Sequence, residues 1–242
     1  MIRLHQDGPI ATITLERGQA RNALPMAGWE ALAETVRGIG DARAVILRSG
    51  VGGIFSAGAD IGEFARLQTD PALRTTFRQA MRAGIDAVAA LQIPVIAAID
   101  GGCFGAAVAL ALAADIRIAG DQAVFAVTPA RLGIGYPQAD VARLVAQIGR
   151  GQASRLLFTA ERIGADTAER IGLAEVRVPD ADAAAQAMAL RIAANAPGAV
   201  RLLKRMVAGG DDLDTQFDDA FGGAEFAEGL RAFQAKREAD FQ

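Results

Sequence analysis

Two stretches of this chain, "IFSAGADIGEF" (residues 54–64) and "DGGCFGAAVAL" (100–110), pass from a β-rich run to a helical one through small side chains. Turns of this kind let helices crowd onto a sheet, and they leave backbone N–H groups open to a ligand. The runs "IATITL" (10–15), "AVILR" (44–48), "VIAAI" (95–99) and "IRIA" (116–119) read as strands. Between the first two, "PMAGWEALAETVRGI" puts Trp29, Leu32, Val36 and Ile39 on one helical face. Asp70-Pro71 reads as cap and first position of a helix reaching Leu91, with an apolar stripe of Leu73, Phe77, Met81, Ile85 and Val88.

From about Ala139 onward the pattern is mainly helical. Helices are expected over 139–148, 151–159, 165–171, 181–194, 197–208 and 224–239, with stops at Gly149 and Gly172 and a hinge in "GGDDLD" (209–214). The fold class is therefore α/β with a helical C-terminal region. At 242 residues and 52% hydrophobic, the chain is long enough for one continuous core.

Charge and composition exclude several functions. A net charge of −3 gives no bulk attraction to nucleic acid or to an anionic membrane. The longest apolar candidates are split by Pro94 and Asp100, too short to span a bilayer, and the N-terminus lacks a secretory pattern. The lone cysteine, Cys103, fits a reducing compartment, so a soluble cytoplasmic protein is expected. The only lysines are Lys204 and Lys236, which leaves no phosphate-loop lysine earlier in the chain. "RSGVGGIF" has Phe55 where a dinucleotide loop needs its third glycine, and Ser56 lacks the preceding glycine of a nucleophile elbow. His5, the only histidine, reads as a surface residue, and no metal-ligand spacing occurs.

The two small-residue turns remain. If both end on one sheet, they aim two backbone amides at one oxygen, each worth roughly 3 kcal/mol to a developing oxyanion. Tight packing of helices on a sheet explains the same composition, and the residues alone do not choose between the two.

"ARNAL" (20–24), "FSAGADI" (55–61), "GGCFGAAVALALAADIRIA" (101–119) and "FAVTPARLGIGYP" (125–137) occur in the order and spacing of the crotonase superfamily, the enoyl-CoA hydratase/isomerase family. "TAERIGADTAERIGLAEVRV" (159–178) and "EGLRAFQAKREADF" (228–241) resemble it too, so the likeness covers nearly the whole chain. The resemblance implies a spiral of ββα turns over residues 1–195 and a helical trimerisation region over 196–242, in a homotrimer or hexamer. It implies an acyl-CoA substrate, with CoA as part of that substrate and no separate cofactor. Catalysis falls to the backbone N–H groups of Ala59 and Ala106, around the thioester oxygen, although the family usually has glycine where Ala106 stands. Arg21, Ala23, Ala57, Asp60 and Ile61 are implied to lie along CoA, with Phe233 and Lys236 at its nucleotide end. For Arg21 a solvated loop arginine is the alternative, and for the last two an ordinary amphipathic helix. Arg201, Lys204 and Arg205 read as a solvated helical face. "ARLQTDPALR" (65–74) is implied to border the acyl pocket.

The chain departs from the family pattern where hydration needs two glutamates. Ala109 and Pro129 stand at those positions, and neither can transfer a proton. "TPARLGIGY" resembles the methylmalonyl-CoA decarboxylase branch, including a tyrosine at Tyr136, but that branch usually has histidine at Ala59 and glutamate at Ala109. Tyr136 is thus a candidate catalytic phenol or a loop aromatic closing over the core. Asp140 reads as a possible acid or a helix-start residue, and Asp115 as structural. The expected function is enoyl-CoA hydratase/isomerase-type chemistry through a stabilised thioester enolate. The alternatives are methylmalonyl-CoA-type decarboxylation and a non-catalytic acyl-CoA binder.

Overall fold

The computed structural model describes residues 1–241. β1 (Ile2–Asp7) pairs antiparallel with β2 (Ile10–Leu15), and α1 (Met26–Arg37) then buries Trp29, Leu32 and Val36. From there the chain winds in ββα turns. The first holds β3 (Ala44–Ser49), β4 (Ile54–Ser56), α2 (Phe64–Thr69) and α3 (Pro71–Ala89). The second holds β5 (Val95–Ile99), β6 (Gly102–Phe104) and α4 (Ala106–Ala111). The third holds β7 (Ile116–Gly120), β8 (Val124–Ala126) and α5 (Gln138–Thr159), which bends at Gly149. Then come β9 (Ile163–Gly164), α6 (Ala165–Arg170), β10 (Val176–Val178) and α7 (Ala181–Ala193), followed by α8 (Pro197–Val207), α9 (Asp214–Ala220) and α10 (Ala224–Ala235).

Each turn gives its first strand to a six-stranded sheet, ordered β1-β2-β3-β5-β7-β10, and its second to a four-stranded sheet, ordered β4-β6-β8-β9. The period-two alternation of β3 shows how the large sheet is held. Val45 and Leu47 enter the main core, while Ala44 and Ile46 face the opposite way. There they meet Ala181, Ala185 and Ala189 of α7, whose alanines recur every fourth residue and bring the helix close to the sheet. At the start of α3, the Asp70 carboxylate accepts from Ala72 N at 3.0 Å and Leu73 N at 3.1 Å, a cap worth about 1 kcal/mol.

Several boundaries differ from the sequence reading. β1, β4, β6, β8, β9 and β10 were not expected; four of the six form the small sheet, where three residues or fewer per strand leave no period to read. The helix in the 103–115 run is confined to six residues, because Cys103 belongs to β6 and the chain must turn again into β7. Residues 214–220 form α9 directly after the expected hinge. The last helix ends at Ala235, where Lys236 turns left-handed (φ 53°) and the tail folds back so that Arg237 bonds Glu228 at 2.7 Å. The solvated face expected for Arg201, Lys204 and Arg205 holds only for Arg201. Lys204 Nζ donates to Asp115 at 2.7 Å and to the Ile93 carbonyl at 2.9 Å, and Arg205 donates to Gln216. Asp115 also accepts from Val95 N at 2.7 Å, which makes it structural as expected. Among the described residues no helix is long and apolar enough to cross a membrane.

Candidate active site

The two small-residue turns meet at one cavity of about 360 Å³. Its floor is backbone: Ala57 and Ala59 from the turn after β4, Gly105 and Ala106 from the turn after β6. The contact between the turns depends on Gly58, whose φ of +90° favours glycine. A Cβ there would stand 2.4 Å from the Phe104 carbonyl oxygen and 2.8 Å from Ala106 N. No larger residue allows the two backbones to approach in this way.

A buried polar cluster holds the first turn in place. Asn22, fully buried and left-handed (φ 55°), donates to Ser49 Oγ at 2.8 Å and to the Phe55 carbonyl at 3.0 Å, and accepts from Arg17 N at 2.7 Å. Ser56 Oγ donates to the Asn22 carbonyl at 2.7 Å and accepts from Gly58 N at 3.0 Å. Asp60 N donates to the Leu24 carbonyl at 3.0 Å, and Leu24 N to the Gly58 carbonyl at 2.7 Å. In the second turn, Gly105 N donates to the Ala126 carbonyl at 2.9 Å and Val108 N to the Gly105 carbonyl at 3.0 Å. Among the described residues, the N–H groups of Ala59 and Ala106 take no backbone or side-chain acceptor, whereas those of Gly58, Asp60 and Gly105 beside them each do.

The opposite wall is apolar. Phe64 and Phe77 meet edge to face at 5.8 Å, and Met81, Leu132 and Ile134 complete it. Leu132 is 55% exposed and Ile134 48%, so this side forms the mouth. The polar side chains of the lining belong to Arg78, Thr128 and Tyr136, and none of the lining residues carries a carboxylate.

The two acid-bearing candidates stand elsewhere. Asp140 is fully buried in the first turn of α5, bonded to Arg82, with Arg143 at 3.5 Å. Burial raises its pKa above the usual carboxylate value, against the pull of Arg82 and then of Arg143. It is not among the cavity-lining residues. Asp60 lines no part of the cavity either. Its carboxylate accepts from Gly62 N at 2.9 Å and pairs with Arg17 at 2.7 Å, and these partners hold its pKa down. Ala109 is fully buried beneath the floor, and Pro129 sits on the rim.

Of the other sequence candidates, Ala57 and Ile61 line the cavity, Ile61 with 67% of its surface exposed. Ala23 is buried behind the floor. Arg21 is exposed, its guanidinium carbon 6.0 Å from the centre of the Phe104 ring, while Arg162 approaches the same ring at 5.4 Å. Phe233, 82% exposed, and Lys236 lie on and just beyond α10 and are not brought to the cavity within this chain. His5 is exposed on β1, as expected.

The comparisons with known proteins fit this architecture. The family model for enoyl-CoA hydratase/isomerase matches residues 5–242. The chain belongs to the enoyl-CoA hydratase/isomerase family. It is 35% identical over 253 residues to human enoyl-CoA hydratase domain-containing protein 2, mitochondrial, covering 97% of this chain and 86% of that one. It is 32% identical over 257 residues to the short-chain-enoyl-CoA hydratase of Clostridium acetobutylicum, covering 98% and 95%. Among solved structures, the enoyl-CoA hydratase from Bacillus anthracis superposes with a TM-score of 0.91 at 31% identity, over 99% of this chain and 98% of that one. The enoyl-CoA hydratase/carnithine racemase from Magnetospirillum magneticum gives 0.92 at 34%, over 100% and 95%. The expected α/β fold of ββα turns with C-terminal helices is therefore shown, and this hydratase/isomerase-family protein is an acyl-CoA enzyme.

Sequence reasoning missed Asn22 and Ser56 as supports of the floor, and Phe64, Leu132 and Ile134 as the wall. Asn22 gave a signal in hindsight: a polar residue inside "ARNAL", a motif otherwise quoted only for its Arg21 and Ala23. Leu132 and Ile134 gave none, since apolar residues in an irregular loop have no period.

Proposed function

We propose that the cavity receives the acyl thioester of CoA and that the N–H groups of Ala59 and Ala106 stabilise its enolate. One observation carries this reading. Where the two turns touch, Ala59 and Ala106 both line the same apolar cavity, and neither N–H has an acceptor among the described residues. Two such fixed donors cost no reorganisation when charge develops on the thioester oxygen, and each is worth roughly 3 kcal/mol of barrier.

The lining favours a substrate that brings its own carboxylate. Hydration needs groups that position water and move its proton, and double-bond isomerisation needs a base at the substrate carbon. Ala109 and Pro129 offer neither, and Asp140 is bonded away from the lining. Loss of carbon dioxide from a 2-carboxyacyl-CoA asks less. The Cα–carboxylate bond breaks, its electrons move into the enolate, and carbon dioxide leaves. A proton from water at the open mouth then restores the acyl-CoA. Hydration stays the second reading, favoured by the likeness to the short-chain-enoyl-CoA hydratase.

Around this centre Ala57 and Ile61 border the thioester, while Ala23 and Asp60 shape the strand of chain beneath it. Arg21, beside the Phe104 ring, is suited to the anionic part of CoA. Residues 196–242 form an assembly region separate from the 1–195 core in this reading. Leu203, Val207, Phe217 and Phe233 are each more than half exposed there, and Phe233 and Lys236 then serve a cavity in a neighbouring copy of a trimer or hexamer.

The test is incubation of the enzyme with a short enoyl-CoA and a short malonyl-type CoA, with both products followed by mass spectrometry. Loss of 44 mass units from the second alone, about the mass of carbon dioxide, supports decarboxylation. Hydration of the first replaces it with the second reading. Binding without conversion of either reduces the protein to an acyl-CoA binder.

A further inference from the structure

Tyr136 lies 31 residues from Gly105 in sequence, yet its hydroxyl donates to the Gly105 carbonyl at 3.0 Å. That carbonyl belongs to the same peptide group as the N–H of Ala106. A peptide group is planar and trans, so its C=O and N–H point in opposite directions, and fixing one fixes the other. The peptide follows Gly105, whose φ of 55° and ψ of −124° lie in a region open in practice to glycine alone. A glycine there rotates more freely than any other residue, so the orientation of this peptide needs outside support. It has two donors on one oxygen: Val108 N at 3.0 Å and the phenol.

We infer that Tyr136 is a positioning residue of the enolate site: its hydroxyl holds and polarises the Gly105–Ala106 peptide, so that the Ala106 N–H faces the cavity as a strong donor. The inference rests on the reading of Ala106 as an oxyanion donor. A hydrogen bond accepted by a peptide carbonyl draws electrons from the N–H of that peptide and makes it a better donor, as in any chain of hydrogen bonds. The arrangement also explains why a phenol stands in a lining without carboxylates. Burial, reinforced by the charge of Asp140, pushes the Tyr136 pKa well above the ordinary phenol value. The group therefore stays protonated and keeps donating at every pH where the protein works. Its proton is committed to Gly105 and is not delivered to substrate.

Tyr136 is the only tyrosine in the chain, which makes the test unusually clean. Growth on a fluorinated tyrosine changes this one hydroxyl, making it a stronger donor, while Tyr136→Phe removes it and keeps the ring. The readout is the infrared stretch of the thioester carbonyl in a bound short saturated acyl-CoA labelled with carbon-13 at C1. Wild-type protein is expected to lower the stretch on binding. The fluorinated protein lowers it further, and Tyr136→Phe recovers part of the free value with little change in the dissociation constant. For a substrate the enzyme turns over, Tyr136→Phe loses about tenfold in kcat with KM nearly constant. If wild type shifts the carbonyl and both altered proteins shift it equally, the positioning role is overturned. If wild type produces no shift, the enolate reading itself fails and takes this inference with it. Should Tyr136→Phe not fold, the fluorinated protein decides alone.

Discussion

The floor and the wall of the cavity are made from different materials. The floor is main chain, from Ala57–Ala59 and Gly105–Ala106, held by a buried cluster of Asn22, Ser56 and Tyr136 hydroxyl and amide groups. The wall is side chain, from Phe64, Phe77, Met81, Leu132 and Ile134, partly open to solvent. A donor made of backbone survives almost any change of side chain and fails only when the backbone moves. A wall made of side chains adjusts with each substitution and sets what fits. On the proposed reading, this division lets a chain keep an oxyanion cradle while Ala109 and Pro129 stand where the family resemblance implies the two hydratase glutamates.

If the division is right, the largest loss comes from moving the floor. Gly58→Ala forces a Cβ to within 2.4 Å of the Phe104 oxygen and strains a φ of +90°. Steady-state kinetics should show kcat/KM falling at least about 100-fold, as expected for a donor displaced by about an ångström. Asn22→Ala acts through the support. It takes away the partners of the Phe55 carbonyl and the Arg17 N–H and one of those of Ser49, and denaturant unfolding should show a loss of about 3 kcal/mol, with kcat down roughly tenfold. A wall substitution behaves otherwise. Phe77→Ala opens the acyl side, and the ratio of kcat/KM for long over short acyl chains should rise by about tenfold while the better substrate keeps its kcat.

Asp140 sharpens the contrast, because it is buried beside the site but outside the lining. Its pKa is raised in the fold above the ordinary 3.8. The folded state then holds the proton more tightly than the unfolded chain does. The Asp140 contribution is most favourable below pH 3.8 and is lost as pH rises through the raised folded value. Asp140→Asn should flatten that part of the stability–pH curve, measured by thermal unfolding, and change kcat less than Asn22→Ala does. The smallest effect belongs to Arg131, exposed in the turn between Pro129 and Leu132, whose side chain makes no hydrogen bond or ion pair among the described residues. Arg131→Ala should leave stability within about 0.5 kcal/mol.

How much of this was readable in the sequence follows from the same physics. Buried strands with five or six residues and helices with an unbroken stripe announced themselves: α3 begins at its Asp70 cap and carries Met81, Ile85 and Val88 inward. β1, six residues long but mostly exposed, did not announce itself. Nor did the small sheet, since Ile54–Ser56 and Gly102–Phe104 are too short to show a period. The floor was visible as two glycine- and alanine-rich turns, but their choice as a site came from the family resemblance and not from composition. The link from Tyr136 to Gly105 spans 31 residues and a change of element, and only tertiary structure exposes it. The pairing of Lys204 with Asp115 went unread for the same reason, so a long-range tertiary contact looked like a solvated stripe.

The central claim is that the cavity binds the enolate better than the thioester it comes from. It is tested most directly by comparing two dissociation constants, one for a short saturated acyl-CoA and one for a CoA derivative carrying a planar anionic mimic of its enolate. The account predicts that the mimic binds at least about 100-fold more tightly, as transition-state analogues do. Equal affinities, in a protein that binds both, would contradict it.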